Sequence, residues 1–306
     1  MKYSKSSVPS KIFASRIKWA LYLGQIFGVV PLSGIGNWHV DNKLRLRFRS
    51  FPALYTILLS TAAFANFVHY SRLSLLTSLA AIQDNAVGLP GKLSTFMYLS
   101  YTFSILFIHL YFLLTSRKLC ALLQDWYRVT IDKVDKLVCS GEMSLECQSI
   151  FAAVVILVIA IIENMLYDIK MVQYQDSFAE NASLPERYCR HTGGALATLF
   201  SCQHPIFTIV FTLMDKSCML VWNFGDIFMI VLSRLSAQHL HILRLYINQI
   251  SEMKGKGFFV KGKELQQTYL ELHDVIGSAA DYITPLLLVC YGRNIYHVIV
   301  TVSLIA

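Results

Sequence analysis

Five runs of apolar residues, each about 20 residues or longer, constrain this chain more than any other feature of its sequence. They cover residues 51–71, 94–115, 149–169, 205–233 and 281–304. A helix of about 20 residues crosses the hydrocarbon core of a bilayer and satisfies its backbone hydrogen bonds internally. The runs therefore predict an all-α integral membrane protein, built as a multi-span helical bundle.

The composition agrees with a membrane protein. Hydrophobic residues make up 55% of the chain, charged residues only 15%, and the mean hydropathy is +0.50. Soluble domains have about 25% charged residues. The net charge of +8 does not indicate nucleic acid, because the basic residues of a membrane chain gather in its cytoplasmic loops.

Sequence motifs of enzymes and metal sites are missing from the chain. The seven cysteines do not have metal-ligand spacing, and there is no glycine-rich phosphate loop, nucleophile elbow or HExxH. We therefore expect no catalytic residues, no cofactor and no metal, and we do not expect an enzyme.

A shorter apolar run, WALYLGQIFGVV at residues 19–30, precedes the first long run. A basic start followed by such a run is also typical of a signal peptide, which is the alternative. No small-residue cleavage pattern follows it. We interpret it as a short interfacial or re-entrant helix within a cytoplasmic N-terminal segment, residues 1–50.

The distribution of Lys and Arg predicts the orientation. Residues 1–50, 116–148 and 234–280 hold 20 of the 27 basic residues, so we place these segments in the cytoplasm, with the N-terminus inside. The loop 170–204 is then outside, and it contains a glycosylation acceptor tripeptide at Asn181. Cys189 and Cys202 share that oxidising side and can form a disulfide.

Two of the cytoplasmic segments contain helical apolar stripes. Residues 265–283 alternate spacings of four and three, which is a coiled-coil-like seam of Leu265, Tyr269, Leu272, Ile276, Ala279 and Ile283. A looser stripe consists of Leu119, Leu122, Leu123, Trp126, Val134 and Leu137. We expect the spanning helices to continue through 116–148 and 234–280 as an intracellular anchor bundle. The alternative is that these helices only fill loops.

Polar and aromatic side chains recur toward the outer side of all five runs. Those that we assign to a ligand pocket are Tyr101, Glu163, Asn164, Tyr167, Asp215, Lys216, Trp222, Asn294 and His297. A charge at mid-membrane costs about 2.5–3.5 kcal/mol by insertion scales, so such residues are expected to face one another or a cavity. Carboxylates and amides bind hydroxyl groups, and aromatic faces cover a sugar ring. The set therefore predicts an outward-facing pocket for a neutral polyhydroxylated ligand. The alternative is mutual neutralisation in a packed bundle.

Asp226 and Arg293 are assigned to gating or packing. Asp226 shares a helix face with Asp215, Met219 and Trp222 at spacings of four, three and four, and it lies nearer the cytoplasm than they do. Arg293 falls in the outer half of the fifth run. A ligand at the upper part of this stripe can shift its lower part; alternatively, Asp226 holds a neighbouring helix by a hydrogen bond.

Several stretches between residues 19 and 303 resemble insect gustatory receptors, most closely the sugar-receptor branch. They are QIFGVVPLSGI, FRS before the first run, AIIENML in the third, VWNFGDIF in the fourth and YGRNIYHVI in the fifth. The resemblance implies a sugar-gated, nonselective cation channel of four subunits. Each subunit of that family has seven spans, an inside N-terminus, an outward-facing ligand pocket and a pore-lining seventh helix.

The same resemblance implies the partners and the location of the chain. Its partners are a small-molecule sugar, the lipid bilayer and other gustatory receptor subunits in a homo- or heterotetramer, with no nucleic acid. Its location is the plasma membrane, in the dendrites of taste receptor neurons.

The chain also departs from the sugar-receptor pattern. It has Glu163-Asn164 where that branch has Glu-His, and Arg293, Asn294 and His297 where the branch has paired Asn and a Phe.

A sixth and a seventh span are not found, so we expect a C-terminally incomplete chain with five of seven spans. The alternatives are a membrane sugar carrier, and a non-conducting auxiliary or truncated subunit. No inverted repeat supports a carrier.

Overall fold

The computed structural model describes residues 9–36, 44–84, 89–137, 204–252 and 256–305, with a few separate residues between 154 and 186. Its helices are α1 (Pro9–Ile26), α2 (Phe51–Asp84), α3 (Leu89–Val129), α4 (Asp135–Leu137), α5 (Pro205–Ser251) and α6 (Lys256–Ile305). One π-helical turn, Thr130–Val134, joins α3 to α4. Strands β1 (Leu32–Ser33) and β2 (Arg45–Leu46) pair antiparallel, with Leu32 opposite Leu46. The prediction of an all-α architecture is confirmed.

Among the described residues, four helices are long and apolar enough to cross a membrane. They cover Phe51–Leu76, Leu99–Val134, Pro205–Ser251 and Phe259–Tyr296, and they contain or overlap the runs predicted at 51–71, 94–115, 205–233 and 281–304. This confirms a multi-span membrane protein. The run 149–169 lies outside the described ranges, apart from separate helical residues such as Val154 and Leu166, which are exposed.

Helices α5 and α6 are much longer than a bilayer requires. They contain 47 and 50 residues, which corresponds to about 70 and 75 Å at 1.5 Å per residue. The hydrocarbon core is about 30 Å thick. Both helices therefore continue without a break from the apolar runs into the segments for which we predict a cytoplasmic anchor.

Helix α1 lies along α5 and is antiparallel to it. Near its start, the Phe13 ring is 5.9 Å from the His239 ring, and just past its end, Phe27 is 6.3 Å from Phe224. The helix begins at Pro9, well before the apolar run at 19–30. It ends at Ile26 because Gly28 adopts a φ of 70°, a left-handed conformation that terminates helices. The end of α1 therefore reaches the middle of α5.

An aromatic core joins α3 to α5 in the centre of the molecule. Ring centroids of Phe112 lie 5.4 Å from Phe224 and 5.3 Å from Phe228. All three side chains are fully buried, and the distances fit the favourable tilted and edge-to-face arrangements of aromatic pairs. The core fixes the relative position of the two helices just below the site described next.

The two predicted stripes differ in how closely the structure follows them. The looser stripe on α3 and α4 is buried at all of its positions: Leu119, Leu122, Leu123, Trp126, Val134 and Leu137. On α6, Leu272 and Ala279 are buried as predicted, but Tyr269 is exposed and the other three positions are partly buried. The buried face of α6 is rotated toward Thr268, Val275, Tyr282, Leu286, Cys290 and Arg293. Thr268 and Arg293 are the polar members of this face, so an apolar pattern does not mark these two positions as buried.

Candidate functional site

Arg293 is the centre of a polar cluster between α5 and α6. Its side chain is only 2% exposed, and its Nη2 donates to Asp226 Oδ2 at 3.0 Å. Nη1 donates to the Trp222 carbonyl at 3.1 Å. A buried arginine needs both a counter-ion and acceptors for its remaining N–H groups, and α5 supplies both. The ion pair therefore holds α6 against α5.

Asn294 accepts two further hydrogen bonds from the guanidinium. Its Oδ1 accepts from Arg293 Nε at 3.1 Å and from Nη2 at 3.0 Å. Nε and both terminal nitrogens of Arg293 thus have acceptors in the protein. Asn294 itself is exposed, so its amide is accessible to a ligand while its carbonyl oxygen positions Arg293.

Trp222 connects this cluster to α3. The guanidinium carbon of Arg293 lies 3.9 Å from the centroid of the Trp222 ring, which is a cation–π contact. The Tyr101 ring of α3 is 4.6 Å from the Trp222 ring, at an interplanar angle of 36°. Three helices therefore meet at one tryptophan, and we call Tyr101, Trp222, Asp226, Arg293 and Asn294 the guanidinium–aromatic cluster.

The ion pair places Asp226 and Arg293 at one level, whereas the sequence placed Asp226 nearer the cytoplasm. The reason is the direction of helical side chains, which lean toward the N-terminus of their own helix. Because α5 and α6 run in opposite directions, the two side chains lean toward each other. A depth estimate that counts residues along each helix ignores the direction of the side chains, and it therefore placed Asp226 and Arg293 at different depths.

The structure brings together only part of the predicted pocket. Tyr101, Trp222 and Asn294 lie in the cluster, and Lys216 is a partly buried residue of α5. Lys216 precedes Trp222 by six residues, about 9 Å along the helix axis. The backbones of Asp215 and His297 belong to α5 and α6, but their side chains are not among those described. Glu163, Asn164, Tyr167, Asn181, Cys189 and Cys202 also lie outside the described ranges and remain predictions.

Gly225 and Cys290 are parts of the site that the sequence analysis did not identify. A Cβ at Gly225 would lie 3.1 Å from Cys290 Sγ, and Cys290 is fully buried. The glycine lets α6 approach α5 beside the ion pair. The signal available in the sequence was a glycine in the middle of the apolar stretch VWNFGDIF, where glycine weakens a helix and needs a packing reason.

A second contact between α3 and α6 lies below the cluster and was also missed. The Tyr111 hydroxyl donates to the Tyr282 carbonyl, and the Tyr282 hydroxyl is 3.0 Å from Thr115 Oγ1. The two tyrosine rings are 5.4 Å apart. Pro285 follows within one turn and removes one backbone hydrogen bond of α6. The tyrosine pair therefore fixes α6 where its own backbone is weakest.

The chain is similar to known proteins both as a family and individually. A family model described as trehalose receptor matches residues 3–305. The gustatory receptor for sugar taste 64a of Drosophila melanogaster is 22% identical over 285 residues, which cover 91% of this chain and 59% of that protein. The chain thus spans less than two thirds of the length of this curated relative.

Proposed function

Because the chain belongs to the trehalose receptor family of insect gustatory receptors, we propose that it is a taste receptor subunit whose helices bind a sugar and gate a nonselective cation channel. The observation that carries the proposal is the guanidinium–aromatic cluster at the meeting point of α3, α5 and α6. Its aromatic, amide and charged groups suit a ligand that has both hydroxyl groups and an apolar ring face.

The cluster divides into a floor and a ligand-contacting part. Arg293, Asp226 and Trp222 are bound to one another, with the guanidinium hydrogen-bonded and one Trp222 face covered by it. These three groups form the floor. Asn294 is exposed and Tyr101 is partly buried, so both remain accessible to a sugar. We assign Tyr101 to packing against the sugar ring and the Asn294 amide to hydrogen bonding with its hydroxyls.

Residues on the outer side complete the proposed pocket. Lys216 lies about two turns from Trp222 toward the start of α5. We also assign Asp215 of α5 and His297 of α6 to hydrogen bonds with ligand hydroxyls. Glu163, Asn164 and Tyr167 contribute from the third predicted span. Carboxylates accept from hydroxyl groups, and lysine donates to them, so the set can bind several hydroxyls of one sugar.

The floor also supplies a route from ligand to channel. A sugar that contacts Asn294 acts on the acceptor of two Arg293 N–H groups, and Arg293 joins α6 to α5. We propose that sugar binding shifts this junction and that α6 transmits the shift along its length. A ligand can drive such a change only through its different affinity for the two states.

The proposal is tested by sugar-evoked cation entry in cells that express the receptor with its partner subunits. We expect Tyr101→Ala and Asn294→Ala each to raise the half-maximal sugar concentration about tenfold, since each loses one ligand contact. The matched control is Leu288→Ala on α6, where the side chain is 73% exposed. Unchanged sugar responses in both variants, at equal surface expression, would contradict the assignment.

A further inference from the structure

Three arginines form an exposed row directly before α2. Arg45, Arg47 and Arg49 alternate along residues 44–50, and all three are exposed. Leu44, directly before Arg45, is 2% exposed, and Leu46 is partly buried. Arg45 belongs to β2, where successive side chains point to opposite sides, and Arg47 and Arg49 lie in the turn that follows the strand. We call Arg45, Arg47 and Arg49 the basic strip.

The backbone of the basic strip is fixed in place. The Ser33 hydroxyl donates to the Arg45 carbonyl at 2.9 Å, beside the β1–β2 pairing. Gln124 of α3 donates to the Leu44 carbonyl at 3.2 Å, and the Ser50 hydroxyl donates to the Arg47 carbonyl at 2.7 Å. The three guanidiniums therefore extend from an anchored segment, which lowers the entropy lost when they bind a partner.

Acidic residues are scarce in the sequence that flanks the basic strip. Residues 1–83 contain a single acidic residue, Asp41, against ten basic residues. Within the described part of the chain, the guanidiniums of Arg45, Arg47 and Arg49 form no ion pair, unlike those of Arg128 and Arg293. The strip thus presents positive charge that no described carboxylate neutralises.

The position of the strip relative to the apolar helix indicates its partner. The apolar stretch of α2 begins at Phe51, two residues after Arg49. Phe48 and Phe51 are 56% and 79% exposed, and large side chains farther along, such as Leu58, are exposed as well. Arginines at the end of an apolar helix lie at the level of lipid headgroups, and aromatic side chains favour the same interface.

We infer that the basic strip binds the phosphate headgroups of acidic phospholipids in the cytoplasmic leaflet. The guanidinium fork matches phosphate geometry, and a row of three arginines fits neighbouring headgroups at a membrane surface. The partner is a membrane lipid and not nucleic acid, because the strip adjoins the exposed apolar surface of α2. This site is separate from the sugar site and depends on the predicted orientation of residues 1–50.

The test is native mass spectrometry of the purified full chain, after incubation with equal amounts of phosphatidylserine and phosphatidylcholine. We expect the chain to retain phosphatidylserine preferentially. In the triple variant Arg45→Gln, Arg47→Gln and Arg49→Gln, we expect the ratio of retained phosphatidylserine to retained phosphatidylcholine to fall at least about tenfold. The matched control, Arg234→Gln with Arg244→Gln and Lys263→Gln, removes the same charge from exposed positions of α5 and α6.

Two further arms make the result decisive. Inorganic phosphate is added to the chain with phosphatidylserine bound; displacement at low millimolar phosphate would overturn the lipid assignment in favour of a free-anion site. Equal lipid retention by the strip variant and the control would overturn the site itself. If the triple variant does not fold, Arg47→Gln alone is used, and a partial loss of phosphatidylserine is expected.

Discussion

At the scale of single residues, Arg293 explains how an apolar helix tolerates a charge. Its side chain is almost completely buried, yet one carboxylate, one amide oxygen and one backbone carbonyl accept its hydrogen bonds. The charges in the cluster are therefore neutralised locally. In the proposed sugar site, the ligand therefore contacts the neighbours of Arg293, chiefly Tyr101 and Asn294.

Removing one partner of the ion pair is expected to destabilise the receptor. Asp226→Asn leaves Arg293 buried without a counter-ion and should lower the free energy of unfolding by about 3 kcal/mol or more. Arg293→Gln should cost less, because the Asp226 side chain is 26% exposed. The double variant should lose less than the sum of the two single variants.

Chemical unfolding of the purified receptor in detergent measures these differences. Asp281→Asn is the matched control, since Asp281 is an exposed aspartate of α6. Additive effects of Asp226→Asn and Arg293→Gln would show that the two side chains do not interact, which would contradict the cluster as described.

At the scale of elements, the packing of α1 on α5 depends on a glycine. A Cβ at Gly24 would lie 2.5 Å from the Val30 side chain and 2.6 Å from the Phe224 ring. Both neighbours are fully buried and cannot move aside easily. Helix α1 therefore reaches the centre of the molecule only because residue 24 has no side chain.

We expect Gly24→Ala to lower the free energy of unfolding by about 1–3 kcal/mol through overpacking. Gly277→Ala is the control, because a Cβ at Gly277 meets no atom within 4 Å. That change should be neutral or should stabilise α6 by up to about 1 kcal/mol. The midpoint of thermal unfolding reports both. Equal behaviour of the two variants would mean that α1 does not pack on α5 in this way.

The helices themselves were predictable, and the contacts between them were not. Apolar runs of about 20 residues located α2, α3, α5 and α6, because only helices satisfy their backbone within lipid. The Asp226–Arg293 pair joins residues 67 positions apart in the sequence. Neither it nor the close approach at Gly24 produces a periodic signal. Thr268 and Arg293 of the buried α6 face were missed as core positions because they are polar, and an apolar pattern marks only apolar residues.

At the scale of the whole molecule, both proposals depend on the orientation predicted from the basic residues. The sugar pocket requires the loop 170–204 outside, and the lipid site requires residues 1–50 inside. The basic strip contributes to the same charge asymmetry that predicts this orientation. One experiment on topology therefore bears on both sites without using either ligand.

Glycosylation tests the orientation directly. We expect the chain expressed in insect cells to carry a glycan at Asn181, so that a glycosidase changes its mobility on a gel. The Asn181→Gln variant should show no such change. An acceptor tripeptide introduced within 116–148 should stay unmodified. A glycan at the introduced tripeptide and none at Asn181 would reverse the orientation and contradict both proposals.

The central claim, that a sugar binds from the outside between α3, α5 and α6, is tested most directly by protection of Tyr101→Cys from a membrane-impermeant thiol reagent. We predict that the reagent modifies this cysteine from the outside and that sugar slows the reaction, because Tyr101 contacts the Trp222 ring at the proposed pocket. The rate of modification of the unaltered chain is subtracted, because the reagent can also modify the native cysteines. Modification at the same rate with and without each member of a sugar panel would contradict the claim.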